Sequence, residues 1–356
     1  MNQHPIMRLQ SSLADYALDA FLVEKDEDIS YFLRDQARSG ALLISRDEVV
    51  LFVSPLDRDL YARINDVTLV VCSGNMEQEL FAYIERRGLQ AVGFDSGYTS
   101  FGIGQKRMLS SPSFVPQSLV IEKLRSVKSA DEIQKMMRAA EIGSAGYDFI
   151  LAALRPNITE KELVRLLHVF WANLGIEKLS FPPIIAFGEN AAFPHAIPTD
   201  RALKKGDVVL IDIGVCYEGY CSDMTRTVAF GEAPEQQLLD GYVAVAEAQR
   251  LAIEFCREGV SCRAVHEEAV RVLREYGLEK AFIHGLGHGV GREVHEYPRL
   301  SPSSDAKLQH NMMVTVEPGV YFPGVGGIRI EDTIMIGVNE NLNLTNRQVP
   351  SEIIII

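Results

Sequence analysis

Two aspartates stand where a β-sheet would ordinarily bury apolar groups. The stretch DVVLIDIGVCYEGYCSDMTRTVAF (207–230) has two apolar, β-branched runs flanking Tyr217, Glu218, Gly219 and Tyr220, which reads as a hairpin. With a two-residue turn, opposed residue numbers sum to an odd value, and Asp212 and Asp223 meet that condition. Their carboxylates therefore share one face, directly opposite or as diagonal neighbours. Adjacent buried carboxylates repel each other and are costly to desolvate unless a proton or a cation lies between them.

Similar acids recur downstream. NMMVTVEPGVYF (311–322) puts Glu317 at the end of an apolar strand stopped by Pro318 and Gly319, and GGIRIEDTIMIG (326–337) puts Glu331 inside a strand with Arg329 on the same face. One such glutamate is ordinarily a solvent-facing strand residue; four acids in such company point to ligation. IHGLGHGVGREVHEYPRL (283–300) adds His284, His288 and His295 among four glycines, a density that lets backbone approach a ligand closely. His168 and His266 fall in helical patterns, and they, His4 and His310 are assigned no role. Four carboxylates and one imidazole exceed what a structural zinc takes. They suit two divalent cations about 3.5–4 Å apart, which together can hold a hydroxide nucleophile, polarise a carbonyl and steady a tetrahedral intermediate. Oxygen-rich ligation favours Mn²⁺, with Co²⁺, Fe²⁺ or Zn²⁺ able to bind the same set.

Composition narrows the partners. Among 356 residues, 35 Lys and Arg face 48 Asp and Glu, a net charge of −13, which argues against a nucleic-acid surface. The chain has no stretch of about 18 apolar residues, so no membrane span is expected. The N-terminus lacks the basic start and apolar run of a secretory signal, and five cysteines without a Cys-x-x-Cys pair suit reduced thiols; a cytoplasmic location is expected.

The elements that must carry these residues read as two domains. AFLVE (20–24), ALLIS (41–45), VVLFVS (49–54) and TLVVCS (68–73) are short buried strands, and MEQELFAYIERRG (76–88) is a helix stopped by Gly88: an α/β layer. SSPSFVPQSLV (110–120) carries no helical period and marks a junction within 110–128, giving domains 1–122 and 123–356. The second opens with capping boxes at Ser129/Glu132 and Thr159/Glu162. Arg155 and Arg257, Thr159 and Ser261, and Gly175 and Gly277 match at one constant offset, which suggests an internal repeat of two similar halves around a shared cleft. The apolar tail SEIIII (351–356) reads as a terminal strand paired into a sheet.

These motifs resemble a known family, the Xaa-Pro aminopeptidases and prolidases of the pita-bread fold, related to methionine aminopeptidase and creatinase. The resemblance rests on LIDIGVCYEGYCSDMTRT, HGLGHGVGREVHEYP, VTVEPGVY and GGIRIEDT in that order, with LRSVKSADEI at the entry to the second domain. It implies an α+β pita-bread catalytic domain with a pseudo-two-fold repeat, preceded by a smaller creatinase-type α/β domain that narrows the cleft and often mediates dimers. By similarity Asp212 would chelate one metal, Asp223 and Glu331 would bridge the pair, and His288 and Glu317 would complete the second site, with Glu317 also moving the proton. His195 in AAFPHA matches a histidine that contacts substrate, His295 one that steadies the scissile carbonyl or the intermediate, and His284 a third cleft histidine, such groups donating hydrogen bonds where charge develops. Arg329 and Arg299 are expected to contact substrate; Arg299, four residues after His295, could pair with a dipeptide's terminal carboxylate or be a surface arginine. The implied activity is hydrolysis of the bond between an N-terminal residue and a following proline by a metal-bridging hydroxide. An Xaa-Pro aminopeptidase is expected ahead of an Xaa-Pro dipeptidase, and a non-catalytic peptide-binding scaffold is the rival from another class. A homodimer acting on peptides with proline second is implied.

Overall fold

The computed structural model describes residues 4–35, 39–61, 63–64, 66–111, 113–347 and 349–356; the first three residues of the N-terminal stretch read above lie outside them. The chain divides into two compact units, Met1–Arg125 and Ser126–Ile356, where the sequence placed the division between 122 and 123.

The first unit is one six-stranded sheet with helices. The strands are β1 (Ala20–Val23), β2 (Ala41–Ser45), β3 (Val49–Val53), β4 (Thr68–Val71), β5 (Ala91–Asp95) and β6 (Ser113–Gln117), in the order β4-β3-β2-β1-β5-β6. β1 to β3 are buried along their whole length, which is why they read as continuous apolar runs rather than alternating ones. The helix Met76–Arg86 stops before Gly88, whose φ of 68° takes the left-handed position past a helix end. The segment without helical period, read as a junction, contains β6; Pro116 sits there without breaking the sheet because β6 is an edge strand.

The second unit holds the candidate site. Its strands begin with β7 (Lys178–Leu179), β8 (Ile184–Phe187), β9 (Val208–Ile213), β10 (Val215–Tyr217), β11 (Tyr220–Cys221) and β12 (Met224–Ala229). They continue with β13 (Gly287–Gly289), β14 (Glu296–Leu300), β15 (Met313–Val316), β16 (Gly319–Phe322), β17 (Gly326–Arg329), β18 (Asp332–Met335) and β19 (Leu342–Asn343). β12-β9-β8 form one sheet and β14-β13-β15-β18-β19 another, and a bridge between Thr225 and Glu331 joins them.

The repeat is visible in the helices. Glu160–Asn173 and Cys262–Glu275 are both 14 residues long, capped by the side chains of Thr159 and Ser261. Each is followed by a glycine at positive φ, Gly175 and Gly277, and each cap residue makes an isolated antiparallel bridge, Thr159 to Ala202 and Ser261 to Lys307. Helix Ala130–Ala153 starts at the capping box of Ser129 and Glu132 and reaches Glu160–Asn173 through Gly146, where a Cβ would stand 2.6 Å from the Trp171 ring. The tail pairs as read: Ala229 bridges Ile355, and Ile353 is buried. Among the described residues no helix is long and apolar enough to cross a membrane.

Candidate metal centre and cleft

The hairpin between β10 and β11 turns on two residues, Glu218 and Gly219, both at positive φ, with Tyr217 opposite Tyr220. The same register continues into β9 and β12, so Asp212 lies opposite Thr225 and Asp223 is its diagonal neighbour on the same face. His288 sits on β13, and Glu317 follows β15 directly. Glu331 is not inside a strand as expected: the chain leaves β17 at Arg329 and enters β18 at Asp332, and Glu331 spans the crossing. Its N–H donates to the Thr225 carbonyl at 3.0 Å, and Arg226 donates to its carbonyl, so the crossing is fixed from both sides.

Two of the four glycines near His288 are also required by strand packing. A Cβ at Gly287 would lie 2.1 Å from the Thr315 carbonyl, and one at Gly289 would lie 2.3 Å from that of Tyr297. These two admit neighbouring strands, because β13 is squeezed between β14 and β15, while Gly285 and Gly287 also line the cavity.

Donor atoms of Asp223, His288 and Glu331 all lie within 4.8 Å of one another. His288 Nδ1 lies 3.1 Å from the Gly289 carbonyl, which can only accept, so Nδ1 carries a hydrogen and Nε2 faces the acids. Nε2 is 3.2 Å from Glu317 Oε1 and 3.6 Å from Asp223 Oδ2. Either a proton or a cation must lie there, since acceptors otherwise confront one another. Thr315 steadies this corner: its hydroxyl accepts from His288 N at 3.0 Å and donates to Glu317 at 3.2 Å. Thr225 donates to Glu331 Oε2 at 2.7 Å. Asp212 Oδ2 accepts from Arg329 at 2.6 Å, while its Oδ1 is buried with no partner.

Burial raises the Asp212 carboxyl above its usual range, opposed by Arg329. Burial, then the charges of Glu331, Asp212 and Glu317, push Asp223 well above it, and burial with Glu317 and Asp212 does the same to Glu331. Desolvation pushes the half-buried Glu317 up as well, but His288, His284 and Arg329 outweigh it and draw the carboxyl below the ordinary range. Four carboxylates facing one guanidinium are an anionic set with an orphaned oxygen, and hard divalent cations fit it.

All ten residues singled out from the sequence line one cavity of about 660 Å³, a size suited to a small ligand. His195 and His295 are exposed at its wall, and burial, with His288 and Arg299 nearby, pushes the His295 imidazole down to about 4. His284 lines the same cavity, as a third cleft histidine should. Its Nδ1–H donates to the Gly285 carbonyl at 2.7 Å and its Nε2 accepts from the Tyr321 hydroxyl at 3.0 Å, so both nitrogens are engaged within the protein. Burial lowers its pKa, in keeping with a neutral ring.

Arg329 is 3% exposed, and besides Asp212 it donates to Tyr321 at 2.8 Å, Thr225 at 3.2 Å and the Pro194 carbonyl at 3.3 Å. It ties the His195 loop to Asp212 and also lines the cavity. Sequence reasoning missed Tyr321, Thr225 and Thr315, and also Arg226, which pairs with Asp332 behind Glu331 at 2.7 Å. Tyr321 carried a usable signal, at an even spacing of four from Glu317 along the apolar run NMMVTVEPGVYF; the threonines carried none.

Residues 134–337 match metallopeptidase family M24, and residues 5–127 match the creatinase/prolidase N-terminal domain. The Xaa-Pro dipeptidase of Pyrococcus horikoshii is 32% identical over 334 residues, 93% of this chain and 94% of the relative. A solved structure of an Xaa-Pro dipeptidase from Bacillus anthracis superposes with a TM-score of 0.93 at 32% identity, covering 99% of each chain. An X-Pro aminopeptidase from Thermotoga maritima superposes with a TM-score of 0.85 at 29% identity, covering 96% of this chain and 98% of the other. The chain belongs to metallopeptidase family M24, with a creatinase/prolidase N-terminal domain ahead of its pita-bread unit.

Proposed function

We propose that the protein is an Xaa-Pro dipeptidase whose two divalent cations, Mn²⁺ by ligand chemistry, are held by Asp212, Asp223, His288, Glu317 and Glu331. The observation that carries the dipeptidase reading is Arg299. It lies exposed on the cavity wall beside His295, with no carboxylate partner among the described residues. A guanidinium in that position matches the terminal carboxylate that a dipeptide places next to its scissile bond and a longer peptide does not. The Xaa-Pro dipeptidases among the similar proteins support the same choice over the aminopeptidase expected from the sequence.

The protein's own groups have defined tasks. Phe181, Pro182, Ile197 and Val294 give the cavity an apolar wall that suits a proline ring and excludes water. Glu317, drawn toward its ionised form, accepts the proton of the attacking water and delivers it to the leaving imino nitrogen. His195 and the neutral His295 donate N–H groups where charge develops on the scissile carbonyl. Arg329 holds Asp212 by one oxygen and leaves the other for ligation. Bound divalent cations supply Lewis-acid polarisation and acidify water.

Incubating Mn²⁺-loaded protein with Xaa-Pro dipeptides and measuring free proline tests the reading. Proline release that chelator abolishes is expected. No release from any dipeptide at full metal loading would sink it.

A further inference from the structure

We propose that Cys216 and Cys221 form a reversible oxidation site, a dithiol that peroxide-class oxidants convert to an intrachain disulfide. The two residues lie directly opposite each other on β10 and β11. Cys221 N–H donates outward to the Gly291 carbonyl at 2.7 Å, so the pair is of the non-hydrogen-bonded kind. In such pairs the Cα atoms are about 4.5 Å apart, inside the range of about 4.4–6.8 Å that a disulfide spans. The sulfurs are 2.9 Å apart. Rotation about the side chains alone can close that gap to the bond length of about 2.05 Å. Five cysteines are free, and among the described residues no other pair of cysteine sulfurs is in contact.

Access is through the hairpin tip. Cys216, 9% exposed, is the more accessible thiol, Cys221 is 3% exposed, and Glu218 at the turn is exposed. The Cys216 sulfur attacks one peroxide oxygen and breaks the O–O bond, giving a sulfenic acid and water. The Cys221 sulfur then displaces hydroxide from that sulfenic sulfur, forming the S–S bond, and its thiol proton leaves with the hydroxide as a second water. Two thiols lose two electrons and one peroxide gains them.

The strands carrying Asp212 and Asp223 need not move. Ser222 N donates to the Val215 carbonyl at 2.9 Å, Val215 N donates to the Ser222 hydroxyl at 3.0 Å, and Ser180 donates to the Ser222 carbonyl at 2.8 Å. These bonds set the strand separation with the thiols reduced or oxidised.

The test is peroxide treatment of the full-length protein, followed by alkylation in denaturant and peptide mapping by mass spectrometry. A peptide joining Cys216 to Cys221, lighter by two hydrogens and restored by dithiothreitol, is expected while Cys256 and Cys262 stay alkylatable. Cys216→Ser and Cys221→Ser should each abolish the cross-link, and the wild-type map stands even where a variant fails to fold. After desalting and Mn²⁺ reloading, bound metal per chain should equal that of untreated protein. Sulfinic or sulfonic acid at either cysteine without the cross-link, or both thiols still alkylatable after Cys72 has oxidised, overturns the proposal. A cross-link with metal capacity halved or worse overturns the argument that the backbone is clamped.

Discussion

Replacing Asp223 by asparagine should stabilise the metal-free protein while destroying its response to metal. Asp223 and Glu331 offer oxygens within 4.8 Å of each other and of His288 in a buried pocket. At an effective dielectric near 20, two unit charges at that separation repel by roughly 3.5 kcal/mol. Partial protonation already relieves some of this, since both carboxyls are pushed well above their usual range. The neutral, isosteric amide should therefore recover about 1–3 kcal/mol, and at about 2–4 °C per kcal/mol for a unit of this size the chelated Tm should rise by roughly 2–12 °C. Metal reverses the order. Wild type at a hundred-fold excess over Kd gains about 2.7 kcal/mol per site, whereas the variant, lacking a charged ligand, gains little. Scanning calorimetry of both proteins with chelator and with Mn²⁺ should show the two Tm values crossing. A variant less stable than wild type in chelator, or one lifted by metal as much as wild type, would refute the electrostatic reasoning.

The same electrostatics fixes a pH dependence. Folded-state pKa values above the unfolded ones mean that the folded metal-free chain holds protons the unfolded chain has released, so chelated stability falls as pH rises from the ordinary carboxylate range toward neutrality. Metal binding must release those protons, so calorimetric titrations in buffers of different ionisation enthalpy should show proton release and tighter binding at higher pH; affinity independent of pH would contradict this. Arg329→Met should lower metal affinity about 10–100-fold, because Asp212 Oδ2 loses its partner, with little change in the far-UV spectrum; unchanged affinity would remove its positioning role. Arg299→Ala should raise KM for Xaa-Pro roughly 10–100-fold, the worth of one charge-assisted pair, and leave Xaa-Pro-Xaa nearly unaffected; equal effects on both substrates would contradict carboxylate recognition.

Much of this was readable beforehand, for identifiable reasons. Strand parity is a property of the chain alone, so Asp212 and Asp223 could be placed on one face before any coordinate, and the register confirms the diagonal arrangement. The constant offset between Thr159 and Ser261 was readable because capping is local. What escaped reading depends on contacts between distant segments. Glu331 looked like a strand interior because only its bridge to Thr225 reveals the crossing between sheets. Arg329 looked like a free cation in a cleft because its partners come from Asp212, Pro194, Thr225 and Tyr321. That Gly287 and Gly289 must also admit the strands on either side was hidden because those strands are not adjacent in sequence.

The central claim is hydrolysis of Xaa-Pro with recognition of its free carboxylate. The most direct measurement is kcat/KM for matched Xaa-Pro and Xaa-Pro-Xaa substrates on the same Mn²⁺-loaded preparation. At least about a ten-fold preference for the dipeptide, the worth of one charged contact near 1.4 kcal/mol, is predicted. A preference for the tripeptide would return the protein to the aminopeptidase reading and contradict the role given to Arg299.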